Sequence, residues 1–586
     1  MKRIQYIVLT MGIFVLISCQ KNFLERYPLD APSSPTFFKS ENDLITYTNY
    51  FYSFLPGGAD IYGEAADNIV KSSVSTEISG ARQVPTTDSR WSWGDLRNIN
   101  FLLTHPNVIN YPDEAVRDKY MALAKFFRAN FYFEKVRWYG DVPWYNTVLA
   151  TNDNENLYKA RDSRTLIMDS VLADIDFAIA NLETSTSLER ITKWTALALK
   201  SRICLYEGTW RKYHTEFNLP DADRFLEECV TASNELMSSG VYKVYTGTSG
   251  PTGLPYRDLF ANLDINPVID EVILARKYSN ELSLKHGLQF YLTSRTQGKP
   301  GLEKRLVNSY LMSDGSRFTD ITRYDTLQFF DEVQNRDPRL AQTIKTPGYI
   351  RIGETSPSSV DFESTMTGYQ PIKWLNVSQW DGSGASIQDL SLFRFGEVLL
   401  NYAEAKAELG TLTQTDLDRS IHFLRNRVGM PDLDMVSANA NPDPYQAALY
   451  THVSGANKGV ILEIRRERRI ELVMENNLRW EDLMRWKEGH LLADPFKGTY
   501  FPGTGFYNLD QTGGAEIEIY AGTKPPATAG AYQLPVSDLD EGTKGHILTN
   551  RNISKTFNEN RDYLWPLPIN ELSLNENLEQ NPYWQQ

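Results

Sequence analysis

One stretch constrains the fold more than any other. Residues 460–487, VILEIRRERRIELVMENNLRWEDLMRWK, carry thirteen charged side chains among apolar residues at helical spacing. At about 100° per residue, Ile464 and Leu472 fall on one face with Arg468, and another face carries Val473. A helix that is apolar on more than one face is enclosed by its neighbours, so its charges must be paired. The stretch therefore predicts a long buried helix, broken near 476–477, with an ion network around it.

The charged side chains of this helix have spacings that allow pairing along its own surface. Three such pairs are predicted: Glu463 with Arg466, Arg468 with Glu471, and Glu481 with Arg485. Neighbouring arginines hold carboxylates ionised at neutral pH, where they cannot donate protons. We therefore interpret the cluster as structural and not as catalytic acid–base pairs.

Composition indicates an ordered globular protein that does not bind nucleic acid. The 586 residues are 41% apolar and 23% charged, with a formal net charge of −14. Binding to a nucleic-acid backbone needs clustered basic residues, which this balance does not favour. The chain also has 32 Tyr, 27 Phe and 12 Trp, more aromatic residues than a helical core needs. We expect some of them to form surfaces for flat ligands such as sugar rings.

The N-terminus reads as a targeting segment. Lys2 and Arg3 precede an apolar run, 7–17, that is too short for a membrane span, and the run ends in Leu-Ile-Ser-Cys19. This ending resembles a bacterial lipobox, which predicts a signal peptide at 1–18, a lipidated Cys19 and a tether at 19–39. The alternative is an ordinary signal peptide with an incidental cysteine.

Two further cysteines, Cys204 and Cys229, lie in apolar helical patterns. A disulfide between adjacent helices is geometrically possible in an oxidising compartment, but we favour two buried free thiols. No spacing of Cys and His suggests a metal site, and we predict neither a metal nor a cofactor.

Helical patterns dominate about 40–240 and 390–488, whereas sequence rich in Gly, Pro, Ser, Thr and Asn fills about 241–389 and 489–560. The apolar spacing predicts seven helices besides the one above: 43–55, 112–139, 164–182, 192–210, 222–237, 390–410 and 416–428. We predict a mainly α fold in which 40–586 form a single domain. Because long irregular segments are usually functional, we expect ligand selectivity in 241–389 and in the loop before Trp91.

No catalytic motif stands in a convincing setting. The seven histidines are scattered, and no nucleophile elbow or phosphate-binding loop is found between a strand and a helix. A glycosidase with two carboxylates stays an alternative, although nothing in the sequence singles out one pair of acids. We therefore predict a binding protein and not an enzyme.

Several motifs resemble those of the SusD/RagB family, the surface lipoproteins of nutrient-uptake systems in Bacteroidetes. Besides the stretch at 460–487, they are KFFRA (125–129), YGDVP (139–143), LVNSYLMSDG (306–315), NRDPRL (335–340), GYQPIKW (368–374), YLWPLP (563–568) and QNP (580–582). Lys125 stands where the family often has Arg, which keeps the charge but not the bidentate geometry. An equivalent salt bridge at this position is therefore in question.

The resemblance implies a SusD-like fold, with tetratricopeptide-like helical pairs and a loop-rich region that binds the ligand. It implies an extracellular lipoprotein, anchored in the outer membrane, that acts as the lid of a SusC-like TonB-dependent transporter. Such a protein captures a glycan or oligosaccharide for import and catalyses no reaction. One branch of the family handles peptides, so a RagB-like peptide-uptake lid is the alternative. A structural surface protein without a soluble ligand is a third hypothesis.

A glycan site needs aromatic platforms with a few polar groups beside them. Trp91 and Trp93 are the best candidates, although both could instead pack inward as the start of a helix. Weaker candidates come from the irregular segment and from loop positions with suitable polarity: Tyr291, Trp374, Trp380, Asp67 and Lys373.

Overall fold

A computed structural model describes residues 37–528 and 530–584. Cys19, the signal peptide and most of the tether lie outside these residues. Within them, nine helices have eight or more residues: α1 (Glu41–Asn49), α2 (Gly94–Thr104), α3 (Glu114–Tyr139), α4 (Arg164–Asn181), α5 (Lys193–Tyr213), α6 (Ala222–Ser238), α7 (Phe395–Glu408), α8 (Lys458–Glu471) and α9 (Leu478–Arg485). The prediction of a mainly α fold is confirmed.

Shorter helices and strands occupy much of the remaining chain. The short α-helices are Gly58–Tyr62, Thr76–Ser79, Pro106–Ile109, Asn154–Leu157, Pro255–Ala261, Leu288–Thr293, Lys304–Ser309, Phe329–Glu332, Pro338–Thr343, Gln414–Asp418, Ile421–Asn426, Met435–Ala440, Pro444–Leu449 and Ile569–Leu574. The strands are β1 (Ile69–Val70), β2 (Val272–Arg276), β3 (Gly301–Leu302), β4 (Leu390–Arg394), β5 (Lys497–Phe501), β6 (Gly505–Tyr507), β7 (Ile517–Tyr520), β8 (Tyr532–Pro535) and β9 (Gly545–Leu548). Antiparallel pairs join β1 to β3, β2 to β4, β5 to β9 and β6 to β7, and β7 pairs in parallel with β8.

Local capping signals set the ends of the long helices. Ser40 and Asp43 form a capping box at the start of α1. Asp113 accepts hydrogen bonds from two backbone N–H groups at the start of α3, and Gly140, with φ of +72°, ends that helix. The predicted helix 43–55 is α-helical only to Asn49 and continues as a 3₁₀-helix, Tyr50–Phe54.

The long helices pack in a continuous series. Each helix from α3 to α6 packs against the next, and α7 and α8 extend the series from α6. Close approach is built into α5 at Gly208, where an added Cβ would lie 2.7 Å from Leu226 Cγ. The two helical parts of the sequence, separated by about 150 residues of irregular chain, therefore share one core.

Two predicted helices are shorter than expected. The stretch 390–410 begins with β4, whose five residues are all buried against β2, and the helix α7 starts only at Phe395. The stretch 416–428 divides into Gln414–Asp418 and Ile421–Asn426. The division falls at Ser420, whose backbone is not helical and whose hydroxyl donates to the carbonyl of Asp416.

The predicted buried helix with a break is confirmed as α8 and α9. Met474, Asn476 and Asn477 all have positive φ between the two helices. Every residue from Gly459 to Glu471 in α8 is buried, so the charges lie inside the protein. The ion network therefore belongs to the core.

The pairing within this network differs from the prediction. Both carboxylate oxygens of Glu463 accept hydrogen bonds from Arg466 Nη1, as expected, and Arg466 Nη2 donates to Asp443 as well. The other two pairs are wrong, because enclosed side chains find closer partners on neighbouring elements than along their own helix. The observed partners are Asp482 for Arg468, three arginines (Arg339, Arg394, Arg427) for Glu471, Arg137 for Glu481, and Glu404 with Asp482 for Arg485.

Cys204 and Cys229 are buried free thiols, which confirms that prediction. Burial raises the pKa of the Cys229 thiol to about 12. Of the helices formed by residues 37–528 and 530–584, none combines the length and apolar character needed to span a membrane.

Candidate functional site

A cavity of about 510 Å³, here named the Trp cavity, contains the two best sequence candidates. Trp91 and Trp93 line it together with residues from the loop 143–158 and from the C-terminal segment 571–578. Its other lining residues are Gly94, Leu96, Arg97, Asn100, Pro143, Tyr145, Thr147, Val148, Leu149, Ala150, Thr151, Leu157, Tyr158, Glu571, Leu574, Asn575 and Leu578. Three parts of the chain that are distant in sequence thus meet at one site.

A lysine of α3 holds the turn that carries the two tryptophans in place. Lys135 donates from Nζ to the carbonyl oxygen of Ser92 at 2.8 Å and to that of Arg90. The same ammonium lies 5.3 Å from the centroid of the Trp93 ring. Burial lowers the pKa of Lys135 to about 8. A buried cation thus orients the backbone from which Trp93 projects.

The aromatic rings at the cavity have different exposures. Trp91 is only 5% exposed and packs edge-to-face on Tyr139, with 4.8 Å between ring centroids. Trp93 is half-buried and lies edge-to-face on both Trp91 and Tyr145, at 5.4 and 5.6 Å. At the rim, 46% of Tyr158 is exposed. Trp91 therefore supports the wall, whereas Trp93, Tyr145 and Tyr158 can touch a ligand.

Polar side chains of α2 hold the opposing loop in place. The Asn100 amide donates to the carbonyl oxygen of Tyr145 at 2.9 Å, and its own oxygen accepts from Arg128 at 3.2 Å. Arg97 donates from Nη1 to the carbonyl oxygen of Leu149 at 3.0 Å. These bonds fix the distance between the tryptophans and the loop. The cavity is therefore largely formed before any ligand binds.

Two charged side chains of the cavity, Arg97 and Glu571, do not take part in ion pairs within the described part of the chain. Within residues 37–528 and 530–584, no carboxylate lies within 4 Å of the Arg97 guanidinium, and no cationic group lies within 4 Å of the Glu571 carboxylate. Partly exposed aromatic faces next to free donors and acceptors suit a ligand with apolar faces and many hydroxyls. The arrangement of these groups therefore suits the binding of such a ligand.

Three of the weaker candidates are buried in the core, which corrects the prediction that they contact a ligand. Asp67 is 1% exposed and is held between Arg469 and Arg479, at 3.0 and 2.6 Å. Burial alone would raise the pKa of Asp67, but the two arginines hold it well below its usual range. Its oxygens are occupied by these partners.

Lys373 and Trp374 are also occupied inside the protein. The Lys373 ammonium donates to Glu475 Oε1 at 2.6 Å and to two carbonyl oxygens, and burial lowers its pKa to about 8. Trp374 is 1% exposed, and its indole N–H donates to the carbonyl oxygen of Met474 at 3.1 Å. Loop position and polarity suggested exposure, yet both side chains serve as partners of the segment between α8 and α9.

Tyr291 and Trp380 are half-buried and lie apart from the Trp cavity. The Tyr291 ring packs 5.7 Å from that of Tyr62, and Lys71 lies 5.9 Å from its centroid. Trp380 ends a short 3₁₀-helix, Ser378–Trp380. Ligand contact at these two residues stays a prediction.

Sequence reasoning missed the side of the cavity that faces the tryptophans. Tyr145 lies two residues beyond the recognised YGDVP motif, and Tyr158 and Leu574 belong to no motif. Their contribution depends on the loop 143–158 crossing to the C-terminal segment, which no local pattern encodes. In the part of the chain that the structure describes, no group of three or more His, Cys, Asp or Glu side chains is arranged to hold a metal ion.

Comparison with known proteins identifies the family. The model of the SusD family matches residues 271–584, more than half of the chain. The chain belongs to the SusD family. A SusD-like protein of Formosa agariphila is 25% identical over 524 residues, which is 84% of this chain and 92% of that protein.

Solved structures of SusD-like proteins share the fold. A SusD-like protein of Bacteroides fragilis aligns with a TM-score of 0.67 at 22% identity, covering 95% of this chain and all of that one. A SusD-like carbohydrate-binding protein of the same species aligns with a TM-score of 0.66 at 22% identity, covering 92% of this chain and 99% of that one. A laminarin-binding SusD-like protein aligns with a TM-score of 0.55 at 16% identity, covering 93% of this chain and all of that one.

Proposed function

We propose that this SusD family protein captures a glycan at the cell surface and acts as the lid of a SusC-like TonB-dependent transporter. On this proposal, Cys19 carries the lipid that anchors the protein in the outer membrane, and the ligand is bound and released without chemical change. Family membership supports the assignment, as do the names of the carbohydrate-binding and laminarin-binding relatives.

The observation that carries the proposal is the combination of groups in the Trp cavity. Trp93 and Tyr145 present partly exposed rings, while Arg97 and Glu571 keep hydrogen-bonding capacity for a ligand. An aromatic ring stacked on the apolar face of a sugar recovers hydrophobic contact, and the charged groups orient the hydroxyls. A volume of about 510 Å³ accommodates a short saccharide.

The test is a binding screen on the soluble protein that begins after Cys19. Wild type, Trp93→Ala and Trp380→Ala are compared by affinity electrophoresis and calorimetry against plant, microbial and host glycans, with peptides as a second panel. We expect at least one glycan to bind wild type and Trp380→Ala alike, and to lose at least tenfold in affinity with Trp93→Ala. Trp380→Ala tests the competing site, because Trp380 is a half-buried tryptophan of the irregular segment that does not line the Trp cavity.

Other outcomes would reassign the function or the site. Binding of peptides but of no glycan would favour the peptide-uptake lid. Loss of glycan binding in Trp380→Ala but not in Trp93→Ala would move the site to the irregular segment 241–389. The transporter partnership is tested separately, by co-purification of the lipidated protein with a SusC-like barrel from outer membranes.

A further inference from the structure

A second cavity, here named the loop cavity, lies in the loop-rich part of the protein. Its volume is about 430 Å³, and it is bounded by Lys299 and by the segments 362–366, 532–538 and 547–553. It shares no lining residue with the Trp cavity. Any ligand bound here would therefore contact a different set of side chains.

Lys299 is held in an unusual backbone conformation at this cavity. Its φ of +48° lies in the left-handed region, which costs a lysine about 1 kcal/mol. The turn is fixed on both sides, because Ser72 N donates to the carbonyl oxygen of Gly298 at 2.7 Å and Met366 N donates to that of Lys299 at 3.1 Å. The surrounding chain thus maintains a strained residue at the cavity wall.

The charge of Lys299 is not neutralised by the protein. Its ammonium has no carboxylate within 4 Å among residues 37–528 and 530–584. The lining contains two other charged side chains, and these pair with each other, since Arg551 lies 2.8 Å from Asp538. Lys299 is therefore the uncompensated charge of the loop cavity, in a protein whose net charge is −14.

The remaining walls combine an aromatic surface with amides. Tyr532 is half-buried and stacks on Phe362, with 6.2 Å between centroids and 18° between planes. Asn550 and Asn552 lie on the same lining, and Asn550 uses its amide nitrogen to bond the carbonyl oxygen of Lys71. An aromatic face with neighbouring amides fits a sugar ring, and an unpaired ammonium fits an anionic substituent.

We propose that the loop cavity is a second ligand site, which binds an acidic sugar unit carrying a carboxylate or a sulfate. Lys299 pairs with the acid, and the Tyr532 side of the cavity contacts the ring. The sugar class rests on the proposed function. The preference for an anion rests on the positive charge of Lys299. This charge attracts an anion to the cavity, although the net negative charge of the whole protein repels anions.

The experiment compares acidic and neutral oligosaccharides of equal length on four proteins: wild type, Lys299→Gln, Lys285→Gln and Trp93→Ala. Galacturonic acid oligomers and sulfated galactose oligomers are titrated by calorimetry against galactose oligomers, and sodium sulfate is titrated alone. Lys285→Gln is the matched control, because the substitution removes the same charge. Lys285 is exposed and does not line the loop cavity. Thermal unfolding checks that all variants are folded.

We expect an acidic oligomer to bind wild type and Lys285→Gln equally and to lose about tenfold in affinity with Lys299→Gln, while neutral oligomers are unaffected. The affinity should fall as salt is raised. Equal binding by Lys299→Gln and Lys285→Gln would overturn the proposal, as would a wild type that binds no acidic oligomer. Sulfate alone binding as tightly as the oligomers would overturn the assignment to a sugar.

The two proposals fail in different ways. If Trp93→Ala abolishes binding of every oligosaccharide while Lys299→Gln changes nothing, the Trp cavity stands and the second site is rejected. If Lys299→Gln weakens acidic oligomers while Trp93→Ala has no effect on any ligand, the second site stands and the Trp cavity is rejected.

Discussion

The ion network of α8 and α9 and the Trp cavity use residue types in opposite ways. In the network, charged groups that suggest surface chemistry are buried and paired with one another, as Glu471 is with three arginines. In the Trp cavity, aromatic side chains that suggest a core, such as Trp93 and Tyr145, keep part of their faces accessible. Function follows from which groups are left without internal partners, and less from their chemical type.

The largest expected effect comes from breaking the network at Glu471. Burial alone would raise the pKa of this carboxyl, but Arg427, Arg394 and Arg339 hold it far below its usual range. Glu471→Gln removes the charge that compensates them and turns amide hydrogens toward arginine donors. We expect the free energy of unfolding to fall by about 3–5 kcal/mol, as measured by chemical denaturation.

Glu227→Gln provides the matched control for that prediction. Glu227 lies on the exposed face of α6 and makes no ion pair within residues 37–528 and 530–584. The same chemical change there should alter stability by no more than about 0.5 kcal/mol. Equal losses in the two variants would mean that the buried network contributes no more to stability than a solvated surface.

A carboxyl at the edge of the network gives a smaller, pH-dependent effect. Glu64 is 1% exposed and accepts a hydrogen bond from the Met474 N–H at 2.9 Å, and among residues 37–528 and 530–584 no arginine donates a hydrogen bond to it. Burial raises the pKa of Glu64 to about 7, whereas Asp67, three residues away, is held ionised by its two arginines. One loop thus contains both a carboxyl that two arginines hydrogen-bond and a carboxyl that the same arginines influence only from a distance.

The raised pKa of Glu64 sets the sign of the pH dependence. The folded state holds the proton more tightly than the unfolded state, so this contribution to stability is complete below about pH 4.5 and is lost as the pH rises to about 7. The variant Glu64→Gln has no ionisable group at this position, so its stability does not show this loss. We expect the free energy of unfolding of the variant, relative to that of wild type, to increase by roughly 1–3 kcal/mol when the pH is raised from 5 to 8.

Denaturation of wild type and Glu64→Gln at both pH values measures that gain directly. Taking the difference between the proteins at each pH cancels the other titrating groups that they share. A difference that is the same at pH 5 and pH 8 would show that Glu64 has an ordinary pKa in the folded protein.

Most of the long helices were predictable because each one carries its own signal, but α2 was not among the predicted helices. Helical spacing with caps located α3 to within two residues at its start, and the irregular 476–477 region located the break between α8 and α9. The pairing of Glu471 was not predictable in the same way. Its partners lie 44 to 132 residues away in sequence, and tertiary packing alone brings them together.

The candidate site was predictable only in part, for the same reason. The WSW turn at 91–93 is a local motif, so it drew attention to Trp93. Asp67 and Lys373 occur in loop-like sequence, and only the burial of their surroundings reveals that they are internal partners. Tyr145 needed the opposite information, namely that its loop faces the tryptophans across a cavity.

The smallest expected effect concerns the ion cluster that supports the Trp cavity. Lys125, where the family often has Arg, lies 2.8 Å from Asp174 and is partly exposed. Arg128 already binds both oxygens of Asp174, at 2.6 and 2.9 Å, and also bonds Asn100. The salt bridge in question therefore exists, and a neighbouring arginine supplies the bidentate geometry.

Lys125→Arg should consequently change the free energy of unfolding by less than about 0.5 kcal/mol, because a partly exposed ion pair gains little from a second donor when its partner is already saturated. Arg128→Lys is the informative counterpart, since it removes both the bidentate pair and the bond that positions Asn100. We expect it to cost about 1–3 kcal/mol and to weaken glycan binding through the loop at Tyr145. If Lys125→Arg were the more damaging of the two, the support of the cavity would depend on the exposed cation and not on the buried one.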